Sequence, residues 1–446
     1  MKAVIMAGGF GTRAVSIDAS IPKPLIPIAE KPILEWEIEC LVRQGYKDLI
    51  LTVSYMADKI EDYFEDGLRF GCHISYFWEE QPLGNAGALF KLWEAEELDG
   101  DFLLLNADAM FDVNLERMIG FHREHSALAT LFTHPNNHPY DSGLIIASGE
   151  GIVHNWLTKE EVRPQWYKNR VNAGLHVLNT EVLKLSKIKP SAIDNSHKAD
   201  LDRDILKPLV STGRIYAYDS PEYVKDMGTP ERFQQVYNDL MSGRVANRNL
   251  LKQQKAIFLD RDGTINKYVG FLCDPAQFEL IDGVAEAVRL INNSGYLAIV
   301  ITNQPVIARG EITTAQLEDI HNKMETILGN GGAYIDAIYY CPHHPDKGFE
   351  GEVADLKFDC ECRKPKPGML LRAAKEFNID LSHSWMVGDS ERDILTGINA
   401  GCRTALITAK ECNSSYAKNA GNDFGQDKTV TTLLDAVKLI LNEDKN

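Results

Sequence analysis

Lys2-Ala3-Val4-Ile5-Met6-Ala7-Gly8-Gly9-Phe10-Gly11-Thr12-Arg13 decides how the N-terminal half is built. The apolar run from Lys2 to Met6 reads as a first β-strand that passes straight into a glycine loop. Gly8, Gly9 and Gly11 put no Cβ in the way, so backbone N–H groups from Ala7 to Thr12 can close around phosphate oxygens. Arg13 adds a guanidinium that can grip a pyrophosphate through two parallel hydrogen bonds. Further on, Pro22 and Pro24 stiffen a loop and hold Lys23 as a fixed positive charge. From Pro32 to Gln44, the residues Leu34, Ile38, Leu41 and Val42 form a helical stripe. Asp48 to Val53 and Phe102 to Leu105 are buried-strand segments bounded by polar or glycine residues. Strand and helix alternate, which predicts a mostly parallel sheet covered by helices.

The pattern stops near Met241. Residues 241–254 are polar, carry several cations and follow neither neighbour's pattern, so they read as a linker with a helical start. A new first strand then runs from Ala256 to Leu259 and delivers Asp260-Arg261-Asp262-Gly263-Thr264 at its end. The helix from Gly283 to Asn293 and the strands Tyr296 to Ile301 and Trp385 to Val387 repeat the α/β logic. The expected organisation is two α/β domains, residues 1–240 and 255–446, joined by the linker. A chain of 446 residues exceeds one ordinary core in any case.

Bulk composition narrows the function. A formal net charge of -17 argues against nucleic acid, which selects basic surfaces. It leaves small phosphorylated substrates open, because a few local cations outweigh a remote acidic surface. No apolar run reaches membrane-spanning length, so no membrane partner is expected. The N-terminus does not read as a signal peptide, and the eight cysteines read as reduced thiols, so the expectation is a cytoplasmic protein. A homo-oligomer is compatible with the sequence.

The first half resembles the sugar-phosphate nucleotidyltransferase family over most of about its first 235 residues. The resemblance is carried by the glycine loop, Pro22-Lys23-Pro24-Leu25, Pro82-Leu83-Gly84-Asn85-Ala86-Gly87, Asn106-Ala107-Asp108, Asn172-Ala173-Gly174 and Lys225-Asp226-Met227-Gly228-Thr229-Pro230. It implies a Rossmann-like sheet, with Ala7, Gly8, Gly9, Gly11, Thr12, Gly84, Asn85 and Asp108 contacting the nucleotide. It also implies Gly143, Asn172 and Gly174 at the sugar phosphate, together with a lysine, either Lys159 or Lys168. Asp108 and Asp226 become Mg²⁺ ligands, and Lys23 and Arg13 become catalytic cations. Thr229 and Pro230 also suit the cap and first turn of a helix. Several positions depart from the usual pattern: Ala14 to Asp18 after the arginine, Asn85 for threonine, Ala107 for glycine. These departures resemble the heptose-1-phosphate guanylyltransferases. An oxygen of a sugar 1-phosphate would attack the nucleotide α-phosphorus in line. Two anions must meet, so the site needs cations more than it needs a base.

The second half turns on Asp260 and Asp262, which point the same way in an extended chain and can face one phosphoryl group. Thr302-Asn303 ends a second apolar strand, Lys364 sits in Arg363-Lys364-Pro365, and Asp389 follows a third strand. This order resembles the haloacid-dehalogenase superfamily. It implies Asp260 as nucleophile, Asp262 as general acid and base, Thr302 and Lys364 on the phosphoryl oxygens, and Mg²⁺ on Asp260, the Asp262 carbonyl and Asp389. Asp393 reads as a helix-start carboxylate. Cys341, Cys360 and Cys362 with one histidine form a closed tetrahedral set, whose natural ion is structural Zn²⁺. His343 is preferred to His344 by resemblance. The zinc loop beside Arg363 resembles the histidinol-phosphate and heptose-bisphosphate phosphatases, and there Asn303, Arg309 and Arg363 are candidate substrate contacts. Cys40, Cys72, Cys273, Cys402 and Cys412 read as core or surface thiols.

Fusion links the halves. A phosphatase yielding heptose 1-phosphate would feed a guanylyltransferase that uses GTP. The alternative is a mannose- or glucose-1-phosphate nucleotidyltransferase joined to an unrelated small-molecule phosphatase. A nucleotide-sugar sensor would need neither Lys23 nor the Asp260 and Asp262 pair.

Overall fold

The computed structural model describes residues 1–8, 20–79, 83–188, 193, 198–408 and 423–444. The chain forms two compact units. The first comprises Met1–His134, Gly143–Thr158 and Arg170–Asn249. The second comprises Pro135–Ser142, Lys159–Asn169 and Leu250–Asn446. Among the described residues no helix is long and apolar enough to cross a membrane.

In the first unit, Ala3–Met6 lies parallel to Asp48–Val53 and Asp101–Asn106, and His73–Trp78 extends this group on the Asp48–Val53 side. Both faces are covered. Ile5, Leu49, Leu51 and Leu105 pack with Leu34, Ile38 and Ile60, whereas Val4, Ile50, Phe102 and Leu104 pack with Leu89 and Phe90 on the other side. The helices Ile33–Arg43, Ala57–Phe64 and Gly87–Glu94 supply those partners. The sheet is mixed, however, and not mostly parallel. Val171–Asn179 enters antiparallel to both Asp101–Asn106 and Ala129–His134, and Val153–Leu157 pairs antiparallel with Leu144–Ala147. An apolar run reads alike from either end, so buried composition carries no strand direction. A separate two-stranded ladder pairs Tyr223–Asp226 antiparallel with Ala109–Asp112.

The second unit is a six-stranded, wholly parallel sheet in the order Ala337–Cys341, Tyr296–Asn303, Lys255–Leu259, Trp385–Gly388, Arg403–Ile407, Lys428–Val430. Val284–Asn292, Thr314–Asn330, Gly368–Phe377, Glu391–Ala400 and Leu433–Glu443 are its main helices. Two of them start on capping boxes, Thr313 with Gln316 and Ser390 with Asp393. Asp260, Asn303, Cys341 and Asp389 all stand at carboxyl ends of neighbouring strands, where open α/β sheets place their ligands.

Residues 241–254 are packed more than a free linker would be. Arg244–Asn247 is a short helix, and Val245, Arg248, Asn249 and Leu250 are buried. The division between units falls between Asn249 and Leu250.

Candidate active sites

In the first unit the short ladder brings the backbones of Asp108 and Asp226, the two predicted metal ligands, side by side. Asp226 pairs in register with Ala109, and the Met227 N–H donates to the Asp108 carbonyl at 2.9 Å. Lys23, on the 3-10 turn Lys23–Leu25, is ion-paired with Asp108. Arg232 donates to both oxygens of Asp226 at 3.0 Å, and the Gly228 N–H adds a third bond at 2.9 Å. Burial pushes Asp226 up, but Arg232 and the Gly228 N–H outweigh it and hold the carboxyl below its usual range. Thr229 caps the following helix through the Arg232 N–H, with Pro230 in its first turn. That capped turn is what presents Arg232 to Asp226.

The predicted base loop is locked by its own glycine. Gly84 has φ +85°, and a Cβ there would stand 2.3 Å from the Ala199 carbonyl. Asn85 accepts from the Leu201 N–H at 2.8 Å, so the loop is tied to the 199–201 segment. Gly174, at φ +77°, lies against Asn106, where a Cβ would fall 2.5 Å from its amide. Asn172 accepts the Gly174 N–H and donates to Asp202 at 3.4 Å. Burial first, then Asp200, raises Asp202 to about 7. The Gly143 carbonyl accepts from the Asn172 N–H at 3.4 Å. Ala7 donates to Thr52, and Gly8 lies beside Glu79. Gly9, Gly11, Thr12 and Arg13 lie outside the described residues, as do Pro82 and Cys412. Lys159 is exposed, belongs to the second unit's segment 159–169, and pairs with Glu160 at 3.8 Å.

Glu37 was not singled out from the sequence. It is 1% exposed, accepts the Ala109 N–H at 3.2 Å through Oε1, and leaves Oε2 without a partner. Burial, then Asp108, pushes it well above the carboxylate range. The signal was present, because residue 37 falls three positions after Leu34, inside an apolar stripe where a carboxylate is out of place.

The second unit holds a tighter array. Lys364 bridges Asp260 at 2.7 Å and Asp393 at 2.5 Å, and donates to the Ile301 carbonyl at 3.0 Å. Asn303 clamps the Lys364 backbone from both sides, accepting its N–H at 3.1 Å and donating to its carbonyl at 3.2 Å. Asp393 also closes the capping box on Ser390. Gly263 has φ +91°, and a Cβ there would lie 2.1 Å from Asp389 Oδ2, so only glycine admits Asp389 beside Asp260. Oxygens of Asp260, Asp389 and Asp393 lie within 4.8 Å of one another. Burial and carboxylate crowding raise Asp260 to about 7 and Asp389 to about 8. Such crowding is what a divalent cation relieves, so the donor set fits Mg²⁺.

Asp262 faces different partners. Arg261 donates to both its oxygens, Gln304 to Oδ2 at 2.9 Å and Asn266 to Oδ1 at 3.0 Å. Burial alone would raise this carboxyl, yet Arg261 and the two amides hold it below its usual range. Thr302 is buried and accepts from Gln304 at 2.8 Å. Arg309 lies between the rings of Phe271 and Phe349 and pairs with Glu311 at 2.6 Å. Arg363 donates to the His343 carbonyl at 3.1 Å.

Cys341, His343, Cys360 and Cys362 converge within 4.8 Å. Their neighbouring donor atoms are separated by 3.5 Å (Cys341 to Cys360), 3.3 Å (Cys360 to Cys362), 3.2 Å (Cys362 to His343) and 3.6 Å (His343 to Cys341). Those separations are too long for disulfides. With Zn–S near ~2.3 Å, a tetrahedron has edges of roughly 3.7 Å, so the quartet fits one such ion. His344 instead accepts the Asp346 N–H at 3.1 Å.

Residues 2–243 match the Nucleotidyl transferase family, and residues 361–436 match a HAD-hydrolase-like family. The chain belongs to the nucleotidyl transferase family, with a haloacid-dehalogenase-type phosphatase fused to it. The phosphatase unit is 46% identical over 169 residues to the D-glycero-beta-D-manno-heptose-1,7-bisphosphate 7-phosphatase of Pasteurella multocida, covering 37% of this chain and 89% of that protein. The transferase unit is 32% identical over 236 residues to the mannose-1-phosphate guanylyltransferase catalytic subunit beta of Xenopus tropicalis, covering 52% of this chain and 62% of that protein. Among solved structures, the D,D-heptose 1.7-bisphosphate phosphatase from B. bronchiseptica complexed with magnesium and phosphate is 32% identical. It covers 43% of this chain and 99% of that one, with a TM-score of 0.37. The chain is a bifunctional enzyme, nucleotidyltransferase and phosphatase.

Proposed function

We propose that the phosphatase unit hydrolyses heptose 1,7-bisphosphate to heptose 1-phosphate, and that the transferase unit joins this product to GTP, giving GDP-heptose and pyrophosphate. The observation that most supports the reading is the likeness to a heptose bisphosphate 7-phosphatase over nearly that protein's whole length, on one chain with a nucleotidyltransferase. The product of one reaction is then the substrate of the other.

In the phosphatase, Asp260 attacks phosphorus to form an aspartyl-phosphate, and the sugar oxygen leaves with a proton from Asp262. That carboxyl must take up the proton in the substrate complex against the Arg261 charge that favours its ionised form. Asp262 then takes a proton from water, which attacks that phosphorus and frees Asp260. Lys364 offsets the charge of Asp260 while an anion approaches, and Thr302 faces the phosphoryl oxygens. Arg309 and Arg363 hold the remainder of the substrate. Mg²⁺ at Asp260, Asp389 and the Asp262 carbonyl would neutralise phosphoryl charge, and Zn²⁺ at Cys341, His343, Cys360 and Cys362 would brace the loop that carries Arg363 and Lys364.

In the transferase, Lys23, Arg13 and the glycine loop carry the triphosphate charge, while Gly84 and Asn85 shape the base pocket. Asn172, Gly174 and Gly143 receive the sugar, with Lys159 or Lys168 on its phosphate. Asp108 and Asp226 would hold Mg²⁺, which would supply positive charge to the phosphoryl oxygens, and Lys23 would then turn from Asp108 to a phosphate oxygen. The working place is the cytoplasm, with reduced cysteines.

A second reading, mannose 1-phosphate as the transferase substrate, is favoured by the likeness to a mannose-1-phosphate guanylyltransferase. One screen separates the two. Pyrophosphate release is measured with GTP, ATP and CTP against heptose 1-phosphate and mannose 1-phosphate, alongside phosphate release from heptose 1,7-bisphosphate. Preferred turnover of GTP with heptose 1-phosphate is expected. Equal or better turnover of mannose 1-phosphate would overturn the heptose assignment.

A further inference from the structure

Arg261 lies between a carboxylate, Asp262, and an imidazole, His321. It is 0% exposed, and its guanidinium reaches Asp262 on one side and His321 on the other. Nε donates to Asp262 Oδ1 at 3.2 Å, and Nη2 donates to Oδ1 at 3.0 Å and Oδ2 at 2.8 Å. Nη1 lies 3.2 Å from Nε2 of His321, which sits on the helix Thr314–Asn330 and is itself buried. Arginine offers donors only, so Nε2 of His321 must accept and the ring proton must sit on Nδ1. Burial first, then the Arg261 charge, holds this imidazole far down, at about 3, so it stays a neutral acceptor at working pH.

We propose that His321 is a positioning residue of the phosphatase: by accepting from Arg261 it fixes the guanidinium plane that aims the Asp262 carboxylate. The proposal rests on the reading of Asp262 as general acid and base. A buried guanidinium with one N–H unanswered would turn to find another acceptor, and its paired grip on Asp262 would turn with it. Gln304 and Asn266 hold one oxygen each, which restrains the carboxylate without defining its plane. His321 touches neither Asp260 nor the Asp389 group among its hydrogen bonds, so its effect on chemistry must pass through Arg261.

The test uses the dependence on leaving group. A sugar alkoxide must be protonated as it departs, whereas the phenolate of p-nitrophenyl phosphate leaves unaided. H321L removes the acceptor, H321Q keeps an acceptor oxygen at similar reach, and D262N is the reference, all in the full chain. D262N is expected to lower kcat for the sugar bisphosphate by roughly 10²–10⁴-fold and to spare the aryl phosphate by comparison. H321L should lower kcat for the sugar bisphosphate by roughly 10- to 100-fold, with KM and the aryl rate within about 3-fold, and H321Q should restore most of the loss. Denaturant titration of the full chain reports whether the phosphatase unit is intact, and H321M carries the same expectation if H321L folds poorly. If D262N slows both substrates alike, the acid and base reading fails. If D262N shows the contrast but H321L and H321M slow both alike, or neither, the role of His321 is overturned.

Discussion

Lys364 and Lys23 each face a carboxylate that follows a β-strand, Asp260 and Asp108, yet their surroundings differ. The Lys364 side chain is 4% exposed, and its partners Asp260 and Asp393 are 11% and 0% exposed. Lys23 is 13% exposed, Asp108 35%, and the Asp226 and Arg232 pair 46% and 26%. In the proposed mechanism the phosphatase supplies its own nucleophile, so Asp260 has to be held dry and oriented before substrate arrives. The proposed transferase reaction needs none, because both reacting groups come with the ligands. The transferase carboxylates stay reachable, each paired with a cation. On this proposal Lys364 belongs to a fixed core, while Lys23 serves as a counter-charge that moves to the substrate.

The largest effect that bears on this contrast is expected from D260N. It should lower phosphate release by roughly 10⁴-fold or more, with pyrophosphate release by the transferase within about 2-fold. Equal loss of both activities in a folded chain would break the picture of two separate chemistries.

The lysines give the next contrast. K364A leaves Asp260 and Asp393 buried without their cation, which should destabilise the phosphatase unit by about 3–5 kcal/mol in denaturant titration. K23A should cost the transferase unit less than about 1 kcal/mol, because the pair is partly solvated. It should still lower transferase kcat by roughly 10²–10³-fold. Equal stability losses would make Lys23 structural and erase the distinction.

A smaller effect concerns acid. His176 is buried with both ring nitrogens unpartnered, and burial lowers it to about 4. Its folded value is below the unfolded one near ~6.5, so its contribution is complete above that pH and is lost as pH falls toward about 4. The loss amounts to about 3 kcal/mol at most. H176L should flatten the acid limb of the transferase unit's unfolding profile, and an unchanged limb would exclude this account.

The smallest effect is expected at Glu37. Burial, then the neighbouring Asp108, pushes its carboxyl up and so favours the neutral form that glutamine mimics, and E37Q should leave transferase kcat within about 3-fold. A loss above roughly 10-fold would mean that Glu37 ionises in the loaded enzyme, and that the transferase site is closer to the phosphatase design than its exposure suggests.

Several parts of both sites were legible in the chain itself. The strand from Ala3 to Met6 and the strand from Ala256 to Leu259 announce themselves by apolar runs ending in glycine or aspartate. The Cys341, Cys360 and Cys362 spacing likewise reads as a clamp without coordinates. Gly263 and Gly84 are written in the sequence as glycines, although only the folded backbone reveals that Asp389 and Ala199 crowd them. Strand direction was not legible, so Val171–Asn179 entered the sheet antiparallel against expectation.

Local residue patterns already say which chemical groups are available and which strand tips carry them, because periodicity and turn residues act over a few neighbouring positions. Packing settles who meets whom across long separations: Glu37 with Ala109, Lys364 with Asp393, Arg261 with His321. Those meetings depend on how whole helices and strands stack to bury their apolar faces. A local pattern cannot encode the partner that packing delivers from elsewhere in the chain.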